Sequence, residues 1–139
     1  MIVGKEFKFE AAQFLPGHPK CGKMHGHTYK VTVEVEGNIN NEGMVMDLHD
    51  LSEIVRDVIG DYDHDCMNNF ISVPTCENIV EALWASLERI LEDTFGVKLS
   101  LVKVQEGEGC YAIRVCLHRC VSRAVPHGHA RRHGAYLPR

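Results

Sequence analysis

Strict alternation of apolar and polar residues over 2–13 and 25–36 constrains this chain more than any other feature. A period of two sends successive side chains to opposite faces of a strand. In the first stretch Phe7, Phe9, Ala11 and Gln13 share one face, and Lys8 and Glu10 the other. In the second, Tyr29, Val31, Val33 and Val35 oppose Lys30, Thr32, Glu34 and Glu36. Two half-buried strands around one Pro/Gly loop predict an antiparallel pair. Their shared apolar face needs a cover.

The cover is legible downstream. After the turn-rich GNINNEG, Asp47 is placed to cap a helix whose Leu51, Ile54, Val55 and Val58 recur at helical spacing. Thr75 is placed to cap a second helix, with Ile79, Val80, Leu83, Leu87 and Leu91 as its apolar stripe and Gly96 as its stop. Residues 99–106 and 111–118 read as further strands joined through GEGC. Val102, Val104 and Glu106 share a face of the first; Tyr111, Ile113, Val115 and Leu117 share a face of the second. The order ββααββ predicts an α+β fold, an antiparallel sheet with both helices on one face. Neither repeat nor linker divides residues 1–118, which are expected to form a single domain. The basic, His-containing stretch 119–139 is expected as an extension, flexible or packed between subunits.

An apolar content of 45% and a charged content of 24% are those of an ordinary globular chain. The net charge of −4 gives no general attraction to nucleic acid or to an anionic membrane. No apolar run approaches the ~20 residues of a membrane span, and the amino terminus lacks a signal-peptide core. The chain is expected to be cytoplasmic. Its six cysteines form no C-x-x-C pair, and most are expected as small apolar fillers.

Cys21 is the exception. His25 and His27, flanking Gly26, share parity with Tyr29 and Val31 and so belong to the apolar face. Imidazoles there need partners, because burying an unpaired polar group is costly. Zinc is one such partner, and a catalytic zinc site takes three protein ligands with one position open. Near a dication the Cys21 thiol would ionise readily and act as base or nucleophile. DYDHDCMNN sets Asp63 beside His64, an arrangement that holds an imidazole ready for proton transfer. Glu106, at a strand end, fits a ligand with two parallel N–H donors, such as a guanidine-like edge.

In order and spacing, CGKMHGHTYKVTV, GMVMDLHDL, YDHDCMN, PTCEN and VQEGEGCYAIRV resemble the 6-pyruvoyl-tetrahydropterin synthase family over residues 3–117. The resemblance implies the T-fold, whose ββααββ subunits form trimers that stack into hexamers with active sites at subunit interfaces. It implies a lyase that takes 7,8-dihydroneopterin triphosphate and uses zinc. On that footing Cys21 is the general base, Asp63 and His64 are the proton relay, and Glu106 anchors the pterin. Thr75 and Glu77 would assist at the pterin end, and His25 and His27 would be zinc ligands. Bacterial and archaeal members commonly form 6-carboxy-5,6,7,8-tetrahydropterin, releasing acetaldehyde and triphosphate on a queuosine-type route; animal-type members form 6-pyruvoyl-tetrahydropterin. A variety used in folate synthesis carries a glutamate near the cysteine, which Gly22, Lys23 and Met24 do not supply. The short chain favours the carboxy product. Lys20, Lys23 and the basic tail are candidates to receive the triphosphate.

One position departs from the family. Its first strand normally reads A-A-H and supplies the third zinc histidine, whereas this chain reads AAQ at Ala11, Ala12 and Gln13. A carboxamide oxygen is a weaker, harder zinc ligand than imidazole. Gln13 could ligate weakly, His18 in the adjoining loop could substitute, or the metal could be lost. Loss would leave a non-catalytic pterin-binding protein. The tail residues His127, His129 and His133 offer a separate metal-binding module.

Overall fold

The structure, a computed structural model, describes residues 1–117. The extension expected at 119–139, with its histidines, lies outside the described residues. Strands β1 (Ile2–Gln13) and β2 (His25–Glu36) come first, then helix α1 (Leu48–Gly60), a single 3-10 turn (Met67–Asn69), helix α2 (Cys76–Phe95), and strands β3 (Lys98–Glu106) and β4 (Cys110–Val115). They form one antiparallel sheet in the order β1-β2-β3-β4.

Caps start both helices where the sequence predicts. The Asp47 carboxylate accepts from the His49 N–H at 2.7 Å, and the Thr75 hydroxyl accepts from the Asn78 N–H at 3.3 Å. Gly96 ends α2 at φ +64°, a left-handed conformation that costs glycine little. Helix α1 lies over β1 and α2 over β3 and β4, all on one face of the sheet. Phe7, Phe9, Tyr29, Val31, Val33, Val35, Val102 and Val104 from the sheet meet Leu51, Val55, Ile79, Leu83, Trp84, Leu87 and Leu91 from the helices. Among the described residues no helix is long and apolar enough to cross a membrane.

Strand β4 differs from the pattern expected of it. Pairing of Val104 with Ala112 and of Val102 with Arg114 turns Ala112 and Arg114 towards the helices. Arg114 is accommodated there because its guanidinium lies 4.4 Å from the Trp84 ring centroid and pairs with Glu81 at the domain's rim. Tyr111, Ile113, Val115 and Leu117 therefore stand on the open face, exposed, and the strand stops at Val115. The cysteines also depart from expectation. Of the described ones only Cys76 is buried, and Cys110 is exposed.

Candidate active site

The register that pairs β1 with β2 sets Gln13 opposite His25 and Ala11 opposite His27. On the other side of β2, Glu106 stands opposite Tyr29. His25, His27 and Tyr29 thus form one row on the helix face, with ring centroids 4.8 and 5.7 Å apart in edge-on contacts. Gln13 is 1% exposed and reaches over this row: its Nε2 donates to Glu106 Oε1 at 3.2 Å. Its Oε1 is buried with no hydrogen-bond partner among the described residues, as is the Tyr29 hydroxyl. Burial, then the Glu106 carboxylate, pushes the Tyr29 phenol up from its ordinary value.

Cys76 is a member of this cluster that sequence reasoning treats as filler. It opens α2 immediately after the Thr75 cap, against Glu106. Burial first, and then the neighbouring carboxylate, pushes its thiol up to about 12, so it remains protonated at neutral pH. Its sequence signal, one cysteine among six, is silent until the strand carrying Glu106 is folded against α2. Thr75 is half-buried with its hydroxyl engaged in capping, and Glu77 is exposed on the first turn.

Cys21 sits half-buried in the loop between β1 and β2. That loop is closed by the Leu15 N–H to the Cys21 carbonyl at 2.8 Å and by the Gly22 N–H to the His18 carbonyl at 2.9 Å. A Cβ on Gly22 would meet the His18 carbonyl oxygen at 2.5 Å, so this close approach requires glycine. The exposed His18 is the latch. Its Nδ1 accepts from the Cys21 N–H at 2.9 Å and the Lys20 N–H at 3.3 Å. With Nδ1 occupied as an acceptor, a neutral imidazole carries its proton on Nε2 and keeps no lone pair for a metal. The structure does not bring His18 into a three-ligand group with His25 and His27.

Asp63 and His64 follow α1 and lie along the outer edge of β1. The Glu10 N–H donates to Asp63 Oδ1 at 2.9 Å, and the His64 N–H donates to the Glu10 carbonyl at 2.6 Å. His64 takes φ +62°, a conformation unusual for a residue with a side chain, and one that these bonds hold in place. Its Nδ1 lies 3.0 Å from Asp63 Oδ1, which keeps a proton on Nδ1 and leaves Nε2 to exchange one. The imidazole is exposed, beside a hollow of about 600 Å³ lined by Glu10, Gly26, Thr28 and Cys66 among others. A second hollow of about 540 Å³ brings Lys8, Lys30 and Arg56 next to Asp63. No hydrogen bond or ion pair among the described residues joins Cys21 to Asp63 or His64.

The Glu10 amide and the adjoining imidazole hold the Asp63 carboxyl below the usual carboxylate range. A carboxylate with a depressed folded pKa contributes stability above its unfolded value, about 3.9, and loses it as pH falls through the folded value. The stability advantage of the parent over Asp63→Ala is therefore expected in full at about pH 6 and to shrink away towards about pH 2. The gap between their urea midpoints at each pH measures it.

A metal here would take a mixed donor set. Among the described residues no three His, Cys, Asp or Glu side chains gather into one metal-binding group. His25 Nδ1 lies 2.7 Å from the Lys23 carbonyl, which places the proton on Nδ1 and leaves Nε2 as a donor. The orphaned Gln13 Oε1, opposite His25, supplies an oxygen with unused lone pairs. His25, His27 and the Gln13 amide oxygen are the donors this face offers a metal, and the amide is the weakest of the three for zinc.

Residues 2–115 match the family model described as 6-pyruvoyl tetrahydropterin synthase. A protein of Archaeoglobus fulgidus, named provisionally as 6-carboxy-5,6,7,8-tetrahydropterin synthase, is 42% identical over 112 residues, which cover 81% of this chain and 93% of that one. The 6-carboxy-5,6,7,8-tetrahydropterin synthase of Haemophilus influenzae is 41% identical, over 68% of each chain. The dihydroneopterin monophosphate aldolase of Pyrococcus furiosus is 43% identical, over 61% of this chain and 72% of that one. Among solved structures, the 6-pyruvoyl tetrahydropterin synthase of Caenorhabditis elegans superposes with a TM-score of 0.74 at 21% identity, over 84% of this chain and 95% of that one. The fold is the T-fold.

Proposed function

Because the chain belongs to the 6-pyruvoyl tetrahydropterin synthase family, we propose that it is a zinc-dependent lyase converting 7,8-dihydroneopterin triphosphate to 6-carboxy-5,6,7,8-tetrahydropterin. The observation that carries the reading is the half-buried Glu106 carboxylate, held by Gln13 at the end of the His25–His27–Tyr29 row. An acceptor pair at that depth suits the guanidine-like edge of a pterin, whose parallel N–H donors can engage both oxygens.

Bound zinc would polarise the substrate's side-chain oxygens and acidify the neighbouring C–H bonds. His25, His27 and Gln13 would hold it, Gln13 being preferred to His18 because the loop latch occupies the latter's acceptor nitrogen. Cys21 is the base that removes the carbon-bound proton. His64, oriented by Asp63, exchanges protons through Nε2 on the other side of the chain. Thr75 keeps the anchor end in place by fixing the start of α2; Glu77 adds negative charge there. Lys20 and Lys23, or the group Lys8, Lys30 and Arg56, are the cations available to the triphosphate.

Among the described residues no hydrogen bond or ion pair joins Cys21 to Asp63 or His64, which is compatible with a site completed by a second copy, as a homo-trimer or hexamer acting in the cytoplasm.

A second reading rests on the Pyrococcus furiosus relative, named an aldolase for the monophosphate. Zinc-loaded protein incubated separately with dihydroneopterin triphosphate and monophosphate separates the two. The synthase releases triphosphate and acetaldehyde with the 6-carboxy product; the aldolase cleaves the side chain of the monophosphate and spares the triphosphate. A 6-pyruvoyl product would instead identify the animal-type activity. Pterin binding without turnover of either substrate would identify a binding protein and sink the lyase.

A further inference from the structure

Gln13 stands where it can join the metal to the pterin anchor. A carboxylate only accepts, so the amide must turn its NH2 towards Glu106. The planar amide then carries Oε1 away from the carboxylate. Gln13 starts opposite His25 on β1, and Glu106 stands opposite Tyr29 on β3, so the side chain crosses β2 over the imidazole row. A side chain 1% exposed, with one amide atom bonded and the other without a partner among the described residues, is unusual in a core. An acceptor held in this way, on the residue opposite His25 in the register, is open to a cation.

We infer that Gln13 is a metal ligand whose orientation is set by Glu106, so that zinc binding and pterin binding are coupled through this one side chain. The inference rests on the zinc-dependent reading above. Glu106 does not touch the metal; it is a positioning residue for the ligand, in addition to gripping the pterin. Hydrogen bonds that orient a ligand typically change metal affinity 10- to 100-fold, roughly, when removed. Linkage requires that whatever one ligand does to the affinity of the other is returned by the same factor.

The test is zinc affinity of the full chain, by competition with a chromophoric chelator, in the parent, Glu106→Ala, Glu106→Gln, Gln13→His and Gln13→His/Glu106→Ala. Glu106→Ala is expected to weaken zinc about tenfold in the parent background. In the Gln13→His background the same change is expected to leave zinc affinity unaltered. Glu106→Gln retains an acceptor oxygen for Gln13 and should hold zinc near the parent level while losing neopterin, followed by its fluorescence. A loss that is equal in both backgrounds overturns the coupling, since the carboxylate would then act on the metal without Gln13. Zinc affinity untouched by Glu106→Ala also overturns it, while leaving the metal reading intact. A parent that binds no zinc overturns both, and recovery of zinc binding in Gln13→His would then assign the loss to this position.

Discussion

Glu106→Gln is expected to weaken pterin binding ~30-fold or more while leaving the protein folded, because truncating or inverting one partner of a charge-assisted pair costs about 2–5 kcal/mol. The carboxylate offers only acceptors; the amide presents donors to a ligand edge that itself donates. Glu106→Ala removes the acceptor altogether. It adds a stability penalty, since Gln13 Nε2 then has no acceptor in a core position. An unpaired buried donor costs about 1–3 kcal/mol. Water entering the half-exposed Glu106 position keeps the penalty at the lower end. Cys76 does not take over as anchor, because burial, the largest cause of its raised thiol, persists without the Glu106 carboxylate and keeps it neutral. Fluorescence titration with neopterin, beside thermal unfolding, reads both effects. Pterin binding by Glu106→Gln equal to the parent would remove Glu106 from the recognition of the ring.

Most of the fold was legible because period-two and helical patterns each have one physical meaning. Phe7, Phe9 and Ala11 alternate into the core as expected, and the stripe from Ile79 to Leu91 is buried along its length. The same logic placed Gln13, His25, His27 and Glu106 on one face. Parity says nothing of which face of the sheet a short edge strand presents. On β4 the apolar set Tyr111, Ile113, Val115 reads like a core, yet the turn at Gly107 and Gly109 fixes the register that sends it outward. Contacts between distant elements were illegible for a different reason. The donation from the Glu10 N–H to Asp63, the His18 latch on Cys21 and the approach of Cys76 to Glu106 depend on backbone groups and loop closure, which no residue pattern encodes.

In the proposed oligomer, Ile113→Arg is expected to break the contact between copies and to take the activity with it, while leaving the subunit folded. Ile113 is 47% exposed on the open face of β4, between Tyr111 and Val115, and its side chain contributes nothing to the helix-covered core. The subunit should therefore tolerate arginine. A second copy seated on this apolar stripe would not, because an unpaired charge buried at a contact costs several kcal/mol. About 3 kcal/mol weakens one contact more than 100-fold. Among the described residues the stripe lies on an edge strand, and β1 at the opposite side of the sheet has its outer edge covered only near Glu10 and Ala12. Two open edges in one sheet invite pairing between copies unless something covers them. Light scattering coupled to size exclusion, circular dichroism and turnover are measured together. Folded monomers without activity are the expected outcome. Folded monomers as active as the parent would place the complete site within one chain.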